Sequence, residues 1–333
     1  MTKSLQGINL GGWLVLERWI TPSLFADTVA NDEWSLGQEL GEPTMSARLR
    51  HHRDTFITKE DISWISAYGF TVVRLPIGYW ALKDTDGFYN VTEYIDRLFG
   101  WAKEYDLQVI LDLHGAPGSQ NGWDHSGKAG LLSWHTKKMY ISETLAVLEG
   151  LAQQYGQNPA LYGIEVLNEP RWDVPIDTLL GFYSQAYATL RELCRSEVKI
   201  IVSDSFRPKE MVFGLQAIGL ADIVIDTHLY QVFSDADTLL SFEGHRQKVN
   251  SWRAEVRKVA RYFPVMVGEW SAALDQSTFV DRSQNEISNM INEYFANQQE
   301  IFNTEALIWC YWTYKTEYNS PWSYSSQSFF LIK

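Results

Sequence analysis

Ile164-Glu165-Val166-Leu167-Asn168-Glu169-Pro170 and Val265-Met266-Val267-Gly268-Glu269-Trp270 each carry an apolar, strand-like run to a glutamate, and Glu169 and Glu269 stand 100 residues apart. Pro170 removes a backbone donor and disfavours helix at Glu169, which fits the exit of a strand. Gly268 leaves room for backbone approach beside Glu269, and Trp270 supplies a dry wall. A charged side chain just beyond a buried parallel strand has left the packed core but is still held by it. In a β/α barrel that is where chemistry is placed. A lone Asn-Glu-Pro is more often a helix cap or a surface carboxylate; the balance reverses when it ends a buried strand and a second glutamate ends another, which together read as a two-carboxylate active site.

Outward from these runs, β-branched stretches near residues 7–10, 71–76, 108–113, 161–167, 199–203, 222–227, 264–267 and 306–311 predict eight strands. Amphipathic stretches near 59–68, 94–105, 139–155, 177–196 and 238–261 alternate with them, and Ile287, Met290, Ile291 and Tyr294 repeat at helical offsets. Polar residues end most of the strands instead of clustering at one switch point, which favours a closed (β/α)8 TIM barrel over an open doubly wound sheet. No Pro/Ser-rich linker or charge block interrupts the pattern, so residues 1–333 are expected to form a single catalytic domain. Irregular stretches at 13–58, 115–134 and from 315 onward are long enough to be functional loops walling an open cleft into a pocket.

Composition narrows the ligand. The chain has 333 residues, a net charge of -13 and 14 Trp. That charge, with no Lys/Arg cluster, argues against nucleic acid and anionic membrane as partners, and the aromatic content suits sugar rings. No apolar run approaches twenty residues, so no membrane insertion is expected. Cys194 and Cys310 lack metal-ligand spacing and read as buried free thiols, with a disulfide between them as the alternative. Met1 leads almost directly into Gly7, without space for a signal peptide; the expectation is a cytoplasmic enzyme, or a secreted one if the sequence is a mature fragment.

Other candidates sit on the same strands. Arg74 is a cation inside Val72-Val73-Arg74-Leu75-Pro76 and needs a partner, either a barrel carboxylate such as Glu165 or the nucleophile. His114 closes Ile110-Leu111-Asp112-Leu113-His114, and His228 with Tyr230 closes the 223–230 run. His114, His228, Glu169 and Glu269 are all metal-ligand types, but no His-Glu-x-x-His pair is present, and no metal or cofactor is expected. Phosphate-cradling glycine patterns and a Gly-x-Ser-x-Gly elbow are missing as well.

Three longer segments then resemble one family: Gly7-Ile8-Asn9-Leu10-Gly11-Gly12-Trp13-Leu14-Val15-Leu16-Glu17, Thr21-Pro22-Ser23-Leu24-Phe25, and Asp112-Leu113-His114-Gly115-Ala116-Pro117-Gly118-Ser119-Gln120-Asn121-Gly122. With Leu167-Asn168-Glu169-Pro170, His228-Leu229-Tyr230-Gln231-Val232-Phe233, Gly268-Glu269-Trp270 and Lys315-Thr316-Glu317, they look like the fungal exo-β-1,3-glucanases of glycoside hydrolase family five. The resemblance implies a monomeric retaining enzyme that releases β-glucose from the non-reducing end of β-1,3-glucans. Glu169 would be the acid/base and Glu269 the nucleophile. Arg74, His114, Asn168, His228 and Tyr230 would line the terminal-glucose subsite, Glu17 would bond its hydroxyls and Trp312 would form its platform. Trp123 and Phe233 would clamp the next sugar. The sequence departs from the family at Trp123, where Phe is usual, at His125, where Asn is common, and at Tyr314, where Trp is common. Two alternatives are a β-glucosidase for glycolipids or small glycosides, and a non-catalytic glucan-binding protein.

Overall fold

The computed structural model describes residues 4–326 apart from position 86. Its strands are β1 (Leu5–Asn9), β2 (Val72–Gly78), β3 (Gln108–Gly115), β4 (Leu161–Glu165), β5 (Lys199–Ser203), β6 (Val224–Leu229), β7 (Val265–Trp270) and β8 (Ile308–Tyr311). All neighbours pair in parallel and β1 closes on β8, with Leu5 opposite Ile308, giving the closed eight-stranded barrel expected. The helices are α1 (Glu33–Leu40), α2 (Thr44–Thr55), α3 (Lys59–Ala67), α4 (Thr92–Glu104), α5 (Lys138–Tyr155), α6 (Ile176–Leu193), α7 (Pro208–Ala217), α8 (Asp235–Thr238), α9 (Phe242–Ala260) and α10 (Gln284–Glu305). None of the described helices is long and apolar enough to cross a membrane.

Side-chain alternation along the strands builds the barrel interior in layers. Val72, Ile110, Ile201, Val224, Met266, Ile308 and Cys310 form an apolar floor. Two residues further along, the same faces present Arg74, Asp112, Ser203, Asp226 and Gly268, and β4 adds Glu165. The polar layer therefore rests on a dry one, and the larger core lies outside, between strands and helices. Cys194 and Cys310 are both buried and free.

Several details differ from the sequence reading. The 13–58 stretch contains α1 and α2, whose short apolar faces pack in a separate cluster with Leu16 and Phe25. A capping box from Asp32 to Ser35 starts α1, and the other Asp32 oxygen accepts from Ala129 N at 2.7 Å, tying this loop to the one after β3. Helix α7 had no clear periodic signal, and residues 239–241 divide the expected 238–261 helix into α8 and α9. Asp61, which caps α3 together with Thr58, accepts from the Tyr314 hydroxyl and Lys315 Nζ at 2.8 Å each, docking the segment after β8.

Candidate active site

Arg74 organises the polar layer. It is fully buried, and burial disfavours its charge, but Asp112, Glu165, Glu269 and Asp226 outweigh that effect and hold its pKa well above the usual arginine value. Nε donates to Glu165 at 2.9 Å, Nη1 to Asn9 Oδ1 at 2.9 Å and Glu269 at 3.0 Å, and Nη2 to Asn168 Oδ1 at 2.7 Å. Asp112 lies 3.0 Å from Nη2. Both roles considered for Arg74 thus hold at once: one guanidinium spans structural acids and the Glu269 carboxylate.

Glu269 lies inside β7, one residue before its end, rather than beyond the strand. Its Oε1 takes the Arg74 bond and its Oε2 accepts from the Tyr230 hydroxyl at 2.8 Å, so both oxygens are aimed. Glu169 lies four residues past β4, at a φ of 44°. That left-handed turn is strained for a non-glycine residue and fits a side chain fixed by its surroundings. Gln120 braces the turn, with Nε2 donating to the carbonyls of His114 and Asn168 at 2.7 and 2.9 Å.

His228 sits between acids. Nδ1 is 2.6 Å from Glu169 Oε1 and 3.5 Å from Glu269 Oε2, and Nε2 is 3.0 Å from Asp226 Oδ2. Burial opposes its charge, yet Glu269, Asp226 and Glu169 raise its pKa well above 6.5. Burial likewise pushes the Glu169 carboxyl up, but the His228 charge and hydrogen bond, with His125 and His114, bring it down to about 2. One proton is therefore held across the His228–Glu169 bond, on the histidine side. His114 is the opposite case: burial, then His125, lowers its pKa well below 6.5, and the neutral ring has Nδ1 2.6 Å from Asp112 and Nε2 3.5 Å from Asn168 Nδ2.

One carboxylate oxygen of Glu169, one of Glu269 and a nitrogen of His228 lie within 4.8 Å of one another. These are donor types a metal could use, but each His228 nitrogen already faces a carboxylate. The same glutamates open into a cavity of about 1070 Å³ lined also by Glu17, Trp19, His114, Trp123, His125, Trp172, Phe206, Tyr230, Phe233, Trp312, Tyr318 and Trp322. Trp312 stacks on His114 at 5.6 Å with planes 5° apart, and a side chain at Gly11 would press on the Trp312 ring at 2.9 Å. Burial, then Asp124, raises the Glu17 pKa well above 4.5, against a 2.8 Å bond from Trp19 Nε1.

The remaining rings sort into two walls. Trp123, Trp172 and Phe206 touch one another, and His125 joins Trp123 to Glu169. Trp19, Phe233 and Tyr230 all meet Trp322, and Tyr230 bonds Glu269. Ten of the eleven residues singled out from the sequence thus lie in this cavity or bond directly to its glutamates, and the eleventh, Asn168, meets Arg74 and His114 behind it. Trp19, Trp172, Phe206, Tyr318 and Trp322 had escaped sequence reading, since a surface loop gives no periodicity from which to infer a shared wall. Asp112 and Asp226 were legible in principle: Asp112-x-His114 and Asp226-x-His228 put acid and histidine on one strand face. Tyr314 is buried on Asp61, outside the cavity lining.

Comparison with known proteins agrees with this geometry. Residues 37–317 match Cellulase (glycosyl hydrolase family 5). A probable glucan 1,3-beta-glucosidase A of Aspergillus fumigatus is 34% identical, the match covering 96% of this chain and 84% of that protein. Glucan 1,3-beta-glucosidase 1 of Schizosaccharomyces pombe is 32% identical over 96% and 85%. Among solved structures, a rutinosidase from Aspergillus niger superposes with a TM-score of 0.79 at 24% identity, covering 97% of this chain and 92% of that one, a likeness of fold. The chain is a glycoside hydrolase and belongs to glycosyl hydrolase family 5.

Proposed function

We propose that this enzyme is a retaining exo-β-glucosidase that removes β-glucose from the non-reducing end of β-1,3-glucans or their oligosaccharides. The observation that carries the mechanism is that one oxygen of Glu169 and one of Glu269 lie within 4.8 Å of each other. An inverting pair would stand about 6.5–9.5 Å apart to admit a water, whereas a retaining pair is close enough for direct attack. The relatives named glucan 1,3-beta-glucosidase support the substrate class.

In the first step Glu269, aimed by Arg74 and Tyr230, attacks the anomeric carbon. Glu169 protonates the leaving oxygen, drawing its proton across the 2.6 Å bond from His228. The covalent bond consumes the charge on Glu269, which weakens proton binding at the neighbouring pair, so Glu169 then acts as base towards water. Asn168, set by Arg74, holds the sugar's 2-hydroxyl, while Trp312 supports the ring and Glu17 bonds its far hydroxyls. Trp123 and Phe233 stand on different walls and flank the next unit. Charge stabilisation by fixed donors in a dry site supplies much of the acceleration.

A second reading changes only the aglycone: Trp172 is 55% and Phe206 39% exposed at the mouth, apolar surface that suits a lipid-like leaving group. One experiment separates these readings. Laminaritriose and octyl β-glucoside are offered to wild type and Glu269→Ala, and products are followed by proton NMR. The expected result is β-glucose from laminaritriose, lost in the variant and replaced by α-glucosyl azide when azide is added. Faster octyl glucoside turnover would favour the second aglycone, and α-glucose as first product would overturn retention.

A further inference from the structure

The two oxygens of Glu169 face different histidines. Oε1 is occupied by His228 Nδ1 at 2.6 Å, while Oε2 has His125 Nε2 at 3.5 Å. A gap of 3.5 Å is long for a direct hydrogen bond, but one water or hydroxyl oxygen can sit at bonding distance from both atoms. His125 lines the cavity with 17% of its side chain exposed, on the Trp123 wall proposed above to flank the next sugar unit. Its ring is set between His114, at 5.1 Å, and Trp123, at 5.5 Å.

The other ring nitrogen fixes the tautomer. Nδ1 is buried and has no hydrogen-bond partner among the described residues. A proton there would be a buried unsatisfied donor, so the proton belongs on Nε2, the atom turned towards Glu169.

We propose that His125 is a catalytic residue of the second half-reaction, its Nε2–H holding the oxygen of the attacking water or acceptor hydroxyl against Glu169 Oε2. This rests on the retaining mechanism proposed above. Water accepts from His125 and directs one hydrogen to Glu169 Oε2, which leaves a lone pair for the anomeric carbon. The new C–O bond forms as the bond to Glu269 breaks. The electron pair returns to the Glu269 carboxylate, and the proton passes to Glu169. A sugar hydroxyl held in the same way gives transglycosylation.

The test uses 2,4-dinitrophenyl β-glucoside, whose leaving group departs without a proton, so that breakdown of the glycosyl-enzyme limits kcat. His125→Ala is expected to lower kcat about tenfold while kcat/KM stays within about twofold, the pattern of a group acting only in the second step. Azide, which needs neither donor nor base, should restore turnover and give β-glucosyl azide. His125→Asn keeps a shorter donor and should fall between the two, at about a threefold loss in kcat. A parallel fall in kcat and kcat/KM, or an unchanged kcat in both variants, would overturn the role of His125. Wild-type release of α-glucose would instead overturn the retaining mechanism beneath it.

Discussion

His228 is the residue through which pH reaches the chemistry. Its pKa is raised because Glu269, Asp226 and Glu169 outweigh burial, and Glu169 is correspondingly lowered by the same pair. The acid step needs the shared proton, which is lost only when pH rises through the raised histidine value, so the basic limb of kcat/KM should lie above 6.5. In His228→Gln the store is gone and Glu169 must hold its own proton, as a buried carboxyl whose pKa rises but remains below that of the pair. The basic limb on laminaritriose is expected to move to lower pH by about one unit or more. An unmoved limb would show that His228 only packs. Asp226 completes the arrangement, accepting from Gly268 N through one oxygen, at 2.6 Å, and facing His228 Nε2 through the other.

Among the elements, β7 shows how a strand's backbone serves the site. A Cβ built on Gly268 would overlap the Asp226 carboxylate, so only glycine lets β6 and β7 bring Asp226 and Glu269 to one layer. Gly268→Ala is expected to displace Asp226, unseat His228 and lower kcat/KM at least about a hundredfold, with a stability loss of about 1–3 kcal/mol. Activity near wild type, measured with the urea midpoint, would refute this. Legibility follows from the same element. The strand cores were readable because buried parallel strands are continuous apolar runs, and β5 matches its expected bounds of 199–203. The strand ends were not, because β3, β6 and β7 continue through polar residues: His114, His228 and Glu269 lie within strands. Register shifts at Thr227/His228 and between Val267 and Trp270 accompany this and depend on neighbouring strands, which a linear reading does not see. Glu165 was legible as a partner for Arg74, but the three-acid cluster around that cation was not.

For the whole molecule, the buried acids make stability depend on pH in an unusual direction. Burial first, against Arg53, raises Glu33 to about 7, and burial against Arg74 raises Asp112 to about 7. Asp204 rises to about 6, and Glu165 and Glu17 well above the ordinary value, burial being the largest cause each time. A carboxyl raised on folding binds more proton in the native state, so its contribution falls as pH rises from the unfolded value, about 4, through the folded one. Three histidines oppose this: burial lowers His52 to about 4, His114 well below 6.5 and His245 below 6.5, which adds stability as pH rises towards 6.5. Above 6.5 that opposition is spent, and His228, raised on folding, begins to lose its own contribution. The five carboxyls outnumber the three histidines, and a net charge of -13 adds self-repulsion as acids ionise. The melting temperature by scanning calorimetry is therefore expected to be higher at pH 5.5 than at pH 8.0. Asp204→Asn should flatten the difference by removing one raised acid whose pKa is not set by Arg74. A melting temperature that climbs steadily to pH 8.0 would mean that the buried acids are ionised at little cost, and that Arg74 and His228 neutralise the layer more completely than their distances imply.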